Sequence, residues 1–183
     1  MFVCYDHRNG APLEDVPRNL SLCMTALDDP HSTPLYESQT QEHMQSNPVF
    51  VSLQHYIQNT IKVGTPKQVA RVRHEDMALF VSMCHESHWR INKHIAPVWE
   101  YLSCRQPNGF TACLALIDVV DGYELPHNIY SLPAVRRIVK IAGLVTVMVN
   151  DLVSKEKEIE AAVHQFGIVE ALQKEHGISF EEA

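Results

Sequence analysis

The stretch NDLVSKEKE, residues 150–158, directly follows the apolar segment IAGLVTVMV, as one helix leaving a protein core would. Asn150, Ser154 and Glu158 are four residues apart, so on an α-helix they lie on one face, along a line of about 12 Å. Their amide, hydroxyl and carboxylate oxygens are hard ligands of the kind that Mg²⁺ accepts. The same spacing is also typical of the polar end of an amphipathic helix. The stretch therefore predicts a helix that carries either a Mg²⁺ site or a merely solvated end.

Helical spacing continues upstream of this stretch. In PVFVSLQHYIQNTIK, four apolar residues repeat at intervals of three and four, which places them on one face of a helix. They are Phe50, Leu53, Ile57 and Ile61. Gly64 follows and is expected to end this helix.

Prolines and small polar residues mark the ends of the other helices. Thr65 before Pro66 is typical of a helix start, and Pro107-Asn108-Gly109 interrupts an otherwise helical segment. Ser179 with Glu182 has the spacing of a capping box, which predicts one more helix at the end of the sequence. The other predicted helices cover residues 19–27, 48–63, 66–93, 97–105, 110–120 and 131–163.

The pattern contains no alternating strand of useful length, so the predicted fold class is all-α, an α-helical bundle. A chain of 183 residues is one domain by the usual prior and is long enough to bury a core. We expect a single domain over residues 1–183, loop-rich over 1–47 and helical over 48–183.

Composition excludes several classes of protein. The net charge of −7 and the lack of a basic tract argue against nucleic-acid binding. The five cysteines include no CxxC pair, which indicates a reduced, cytoplasmic protein. The N-terminus lacks the pattern of a signal peptide, and the longest apolar run, Ile141–Val149, is too short to span a membrane.

Further polar clusters have simpler interpretations. CHESH, residues 84–88, resembles a fragment of a zinc site but has no evident third and fourth ligands, so a solvated helix face is expected. RVRHED, residues 71–76, is interpreted as a solvated face with local ion pairs, and ELPHNIY, residues 124–130, as a loop. Asp118 and Asp121 either pair with a buried cation or end their helix.

The stretch NDLVSKEKE resembles the second metal motif of the class I terpene synthases, Asn-Asp-x-x-Ser-x-x-Lys-Glu, and matches each of its fixed positions. The resemblance implies that Asn150, Ser154 and Glu158 bind one of three Mg²⁺ ions that hold a substrate diphosphate. It also implies that Lys157 contacts that diphosphate.

A second match lies 45 positions before Asn150. Arg105, Asn108 and Gly109 resemble the diphosphate-sensing arginine, the linker and the effector that surround a helix break in the same family. The resemblance implies that Arg105 binds the leaving diphosphate and that the free carbonyl of Gly109 faces the forming allyl cation. Phe110 is a candidate for the aromatic wall of the cavity, although packing is the simpler role for any one aromatic residue.

Longer segments resemble one group within this family, the bacterial 2-methylisoborneol synthases and their 2-methylenebornane relatives. These segments are PVWEYLSCRQ, LIDVVDGYELP and VNDLVSKEKE. The resemblance implies an isoprenoid diphosphate substrate, 2-methylgeranyl or geranyl diphosphate, which the enzyme would ionise and convert to a cyclic monoterpenoid such as 2-methylisoborneol. Mg²⁺ is the implied cofactor, and a homodimer is a possible assembly.

The sequence departs from the family pattern at its first metal motif. VCYDH offers only Cys4, Asp6 and His7, which match the tail of that motif, so Asp6 is a weak candidate ligand. The C-terminal Arg-Tyr pair of the family is also missing, and the chain therefore resembles a middle part of the domain, shortened at both ends. Two alternatives to a cyclase stay open: a catalytically inactive remnant, and a helical protein that binds diphosphate or metal without turnover.

Overall fold

The computed structural model describes residues 12–28, 42, 45–160 and 166–179, with the side chains of 156–160 excepted. Every regular element in these ranges is a helix, which confirms the all-α fold class. Asp6 and the possible capping box that ends at Glu182 lie outside the described residues.

Nine α-helices form the described part of the chain. A 3₁₀ turn, Leu13–Asp15, precedes the first of them, and a second 3₁₀ turn, Gln106–Asn108, follows the fourth. The helices are α1 Val16–Leu27, α2 Pro48–Val63, α3 Pro66–Asn92, α4 Val98–Arg105, α5 Thr111–Leu114, α6 Ile117–Val120, α7 His127–Tyr130, α8 Pro133–Glu160 and α9 Ile168–His176.

Side-chain caps start α2 and α3. The Asn47 side chain accepts from the backbone N–H of Val49 and Phe50 at the start of α2. Thr65 and Gln68 form a reciprocal capping box at the start of α3. Each cap is followed by a proline, whose missing N–H costs nothing at the first helical position. These signals explain why the sequence predicted both starts correctly.

The predicted inward face of α2 was wrong at its last position. Ile61 is 40% exposed, whereas Thr60 is buried. The Thr60 hydroxyl donates to the Tyr56 carbonyl at 2.9 Å, so its one polar hydrogen is satisfied within the helix. A threonine that bonds to its own helix can therefore take a core position.

The predicted continuous helix over residues 110–120 was also wrong. The structure has two short helices there, α5 and α6, and Phe110 lies before α5 in a left-handed conformation, with φ of 59°. Between them, the Leu116 N–H donates to the Cys113 carbonyl, three residues back, which tightens the chain and ends α5. The expected loop over 124–130 contains the single helical turn α7.

The RVRHED segment was wrongly interpreted as a solvated face. Glu75 and Asp76 are buried, and Arg71 pairs at 2.8 Å with the buried Asp118 of α6. Asp118 is therefore the partner of a buried cation, one of the two roles considered for it. Both carboxylates of α3 face neighbouring helices rather than water, which sequence spacing alone did not indicate.

Two hydrophobic cores lie along α3, one at its middle and one at its C-terminal end. The N-terminal core is formed by α1, α2 and the middle of α3, and its buried residues are Val16, Leu20, Cys23, Ala26, Leu27, Phe50, Leu53, Leu79, Phe80 and Met83. The C-terminal core joins the end of α3 to α4, α8 and α9, and its buried residues are Trp89, Ala96, Tyr101, Val147, Phe166, Ile168, Val169 and Ala171. The helix α3 thus belongs to both cores.

One long face of α8 is apolar yet exposed. Val145, Val149, Leu152 and Val153 are each more than half exposed, and Trp99 of α4 is 70% exposed. Within the described ranges, no helix is long and apolar enough to cross a membrane.

Candidate functional site

The centre of the site is the interruption between α4 and α5. Pro107 lies in the 3₁₀ turn and cannot donate a backbone hydrogen bond, so the α-helical ladder cannot continue through it. Phe110 then takes a left-handed conformation, which is unusual for a bulky residue and marks local strain. The break that the sequence predicted is therefore present, and it leaves backbone groups outside a regular helix.

The break crosses α8 at very short range. A Cβ atom on Gly109 would lie 2.0 Å from the Gly143 carbonyl oxygen, and one on Gly143 would lie 2.9 Å from the Gly109 carbonyl oxygen. Both distances are below any real contact of a Cβ, so each position requires glycine. The Gly109 carbonyl, predicted to face a substrate cation, lies against the backbone of α8 at Gly143.

Arg105 ends α4 and is held by two carboxylates from other helices. Its Nη1 donates to Glu86 Oε2 of α3 at 2.5 Å, and its Nη2 donates to Asp151 Oδ1 of α8 at 3.0 Å. All three side chains are about nine-tenths buried. Burial alone would lower the pKa of Arg105, but the charges of Glu86 and Asp151 outweigh it and raise that pKa above its usual value. The arginine is therefore a permanently charged group in a fixed orientation.

Asn108 is tied to the same carboxylate. Its amide nitrogen donates to Glu86 Oε2 at 2.7 Å, so one oxygen of Glu86 binds both Arg105 and Asn108. The amide oxygen of Asn108 and Nε of Arg105 are buried and have no partner among the described residues. Buried polar atoms of this kind are uncommon, and a ligand or water is the usual explanation.

Asp151 connects this network to the last helix. Its second carboxylate oxygen accepts from the Tyr101 hydroxyl at 2.5 Å and from the Ile168 backbone N–H at 3.1 Å. Burial and the charge of Asp151 raise the pKa of Tyr101, so the phenol stays protonated and acts as a donor. Asp151 thereby joins α4, α8 and the start of α9.

An aromatic residue covers the arginines of the site. The Phe166 ring lies 4.4 Å from the Arg90 guanidinium carbon and 5.5 Å from that of Arg105. On the same ring, Trp89 packs with a centroid distance of 5.8 Å. Cation–π contacts of this kind hold the guanidinium groups against an apolar wall.

The predicted metal ligands lie on α8, next to Asp151. Asn150 is exposed and Ser154, one turn later, is half-buried, while Lys157 and Glu158 lie in the same helix with side chains outside the description. An amide, a hydroxyl and a carboxylate at successive turns are a donor set that fits Mg²⁺ with retained waters. The helix therefore brings the candidate ligands to the same end of α8 as the Arg105 network, and their roles stay predictions.

The expected solvated face over CHESH was wrong at Glu86 and Ser87, which are buried, while His85 of the same segment hydrogen-bonds to α4. His85 Nε2 lies 3.2 Å from Glu100 Oε1, which also accepts from the Trp89 indole at 3.0 Å. Burial raises the pKa of Glu100, but these contacts and one from His94 outweigh it and lower that pKa below its usual range. Among the described side chains, no group of three or more His, Cys, Asp or Glu could hold a metal ion.

Sequence reasoning missed several residues of the network. Glu86, Tyr101 and Phe166 received no role, and Asp151 was matched only as a motif position. The sequence contains one signal for the close crossing of Gly109 and Gly143. Gly143 is an isolated glycine inside the apolar run IAGLV, and such a glycine often marks close packing.

Comparisons with known proteins identify the family of the chain. The family described as "Terpene synthase family 2, C-terminal metal binding" matches residues 4–183. The chain is 33% identical over 176 residues to a 2-methylisoborneol synthase of Saccharopolyspora erythraea, covering 96% of this chain and 50% of that protein. It is 34% identical over 158 residues to one of Streptomyces ambofaciens, covering 86% and 36%.

A solved structure with a similar fold is that of 2-methylisoborneol synthase from Streptomyces coelicolor A3(2) in complex with Mg²⁺ and geranyl-S-thiolodiphosphate. The TM-score is 0.87 at 29% identity, covering 99% of this chain and 56% of that one. The chain thus spans about half the length, or less, of these relatives. On the family match and these identities, the chain belongs to the terpene synthase family.

Proposed function

We propose that this chain carries the Mg²⁺-dependent diphosphate site of a class I terpene cyclase, located in the cytoplasm. The observation that carries the proposal is the buried network of Arg105, Glu86 and Asp151 at a helix break, adjacent to Asn150 and Ser154. A fixed guanidinium beside a line of hard oxygen ligands suits the binding of a diphosphate. Geranyl or 2-methylgeranyl diphosphate is the substrate we propose, and a cyclic monoterpenoid the product.

The residues of this chain would act on charge at the leaving group. Mg²⁺, held by Asn150, Ser154 and Glu158, would neutralise charge on the departing diphosphate. Arg105 would exchange one carboxylate partner for a phosphate oxygen and so stabilise the same charge. Phe166 excludes water from one side of Arg105, because its buried ring lies 5.5 Å from that guanidinium carbon and Trp89 packs on the same ring.

Incubation with Mg²⁺ and each diphosphate, followed by gas chromatography with mass detection, tests this proposal. We expect a cyclic terpenoid from the wild-type chain and at least a hundredfold loss with Glu158→Ala or Arg105→Lys, since removal of one charge-stabilising group costs about that much. Glu14→Ala, at an exposed position that is distant in the sequence from both Arg105 and Glu158, is the matched control. Product formation that is unchanged in Glu158→Ala would contradict the assignment.

A second candidate is diphosphate binding without turnover. It is favoured by the apolar face of α8, which is exposed in the described part of the chain, because a cyclase has to shield its substrate cation from water. A helical chain that binds diphosphate with Mg²⁺ but releases no volatile product would support this candidate over the cyclase. The exposed face is also compatible with a homodimer.

A further inference from the structure

A cavity lies at the other end of α3 from the Arg105 network. It has a volume of about 490 Å³ and is formed by the first turns of α3 together with α7 and the start of α8. Glu75 in its wall is eleven residues from Glu86 along α3, which corresponds to about 16 Å at the helical rise. The cavity is therefore separate from the proposed diphosphate site.

A rigid arginine–tyrosine–arginine stack forms the back of this cavity. The Tyr130 ring lies 4.1 Å from the Arg71 guanidinium carbon and 4.7 Å from that of Arg136. Arg71 is fixed by Asp118 at 2.8 Å and by the Leu125 carbonyl at 3.1 Å. Arg71 is thus held in place before any ligand arrives.

Glu75 fixes the other arginine of the stack. Its Oε1 accepts from Arg136 Nη2 at 2.6 Å and from the Tyr130 hydroxyl at 3.1 Å, and Arg136 also donates to that hydroxyl. The Glu75 side chain is only 5% exposed, so its carboxylate binds these two partners and does not face the open side of the cavity.

The open side of the cavity carries further donors. Lys67 and His74 are exposed on α3, and His127 and Ser131 are exposed on the opposite wall. Three cationic side chains and one carboxylate, Glu75, line the cavity, and Asp118 pairs with Arg71 from outside the lining. Together these five groups carry a net charge of +1. This local charge is opposite in sign to the −7 of the whole chain.

We propose that this cavity is a second anion site that binds a phosphate-bearing small molecule. Ammonium, imidazole and hydroxyl donors approach from two walls, which suits an anion with several acceptor oxygens better than a single planar group. The volume exceeds that of a free phosphate ion, so an organic group can occupy the rest. The site works without Mg²⁺ and does not depend on the proposed cyclase activity.

Titration of the 183-residue chain with inorganic phosphate, and separately with phenyl phosphate, in the presence of a chelator tests this proposal. We expect saturable binding in calorimetry and amide shifts in NMR spectra confined to residues 67–75 and 127–136. Phenyl phosphate is expected to bind more tightly, because its ring occupies the remaining volume. Absence of saturable binding, or shifts centred elsewhere, would overturn the proposal.

The double variant Lys67→Glu/His74→Glu is expected to weaken binding at least tenfold. Both positions are exposed, so the fold is expected to survive the change, and circular dichroism checks this. His55→Glu/Lys62→Glu on α2 has the same residue types, the same spacing and the same change of charge, and it serves as the control. An equal loss of phosphate affinity in both double variants would show that the effect comes from net charge alone, and it would contradict the proposed site. Glu158→Ala should leave phosphate binding unchanged, which separates this proposal from the cyclase.

Discussion

The two cores of this molecule differ in what they bury. The N-terminal core encloses almost only aliphatic and aromatic side chains, whereas the C-terminal core surrounds the charged residues Glu86, Arg105 and Asp151. Full burial of one apolar side chain stabilises a fold by roughly 1.5–3 kcal/mol, but a buried ion pair contributes little beyond an apolar pair of the same size. The apolar side chains of both cores therefore account for stability, while the charged network fixes the geometry of the helix break.

The largest expected effect is in the charged network. Glu86→Ala leaves Arg105 and Asn108 without a shared acceptor and is expected to lower the free energy of unfolding by about 3–5 kcal/mol, because an uncompensated charge stays buried. Urea unfolding monitored by circular dichroism measures this loss.

A double-mutant cycle with Arg105→Ala checks the mechanism. The combined variant should lose less than the sum of the two single losses, with a coupling free energy above about 1 kcal/mol. Additive losses would show that Glu86 stabilises the fold through packing and not through its charge.

The N-terminal core gives the contrasting case. Leu20 is fully buried, so Leu20→Ala is expected to cost about 3 kcal/mol through lost burial and a cavity. Ligand binding at the C-terminal site should be unchanged under conditions where the variant is folded. Val81→Ala, at a 62% exposed position of α3, should change the unfolding free energy by less than about 0.5 kcal/mol. A loss of ligand affinity in folded Leu20→Ala would show that the two cores are not independent.

One buried carboxyl makes the stability of the protein depend on pH. Burial raises the pKa of Asp76 to about 7, and Glu75 adds to this, while a hydrogen bond from Tyr56 acts in the opposite direction. The folded state thus holds a proton that the unfolded chain releases near pH 4, so stability falls as pH rises from about 4 to 7. The whole shift corresponds to at most roughly 4 kcal/mol, and we expect about 2.

Asp76→Asn should flatten this dependence. Unfolding free energies measured at intervals from pH 5 to pH 8 should decline less in the variant than in the wild type. An equal decline in both proteins would mean that another group is responsible.

The smallest effect is expected at the start of α3, the helix that both cores share. Thr65→Ala removes the capping box and should cost about 1 kcal/mol, whereas Thr65→Ser retains the hydroxyl and should cost less. Thermal unfolding of the two variants compares them directly. Equal melting temperatures would show that Pro66 and packing define this end without the cap.

Local signals predicted the fold well because they act within a few residues. Asn47 and Thr65, each followed by a proline, define helix starts, and Gly64 ends α2 as expected. The break at Pro107 was predicted for the same reason. The division of residues 110–120 was not, since no proline or glycine marks the turn between α5 and α6.

The site was only half predictable, because its contacts join distant parts of the chain. Arg105 was identified from its motif, but Glu86 lies 19 residues before it and Asp151 lies 46 residues after it. Spacing along one helix does not reveal which carboxylates face an arginine on another. The same limit explains why Glu75 and Arg71 were wrongly interpreted as solvated.

We propose that the helix carrying Asn150 and the Arg105 network form one Mg²⁺-dependent diphosphate site. Calorimetric titration with geranyl-S-thiolodiphosphate, with and without Mg²⁺, tests it most directly. We predict saturable binding that requires Mg²⁺ and weakens at least tenfold in Asn150→Ala and Arg105→Lys, but not in the control Asn59→Ala. Binding that is equally tight without Mg²⁺, or unchanged in both site variants, would contradict the account.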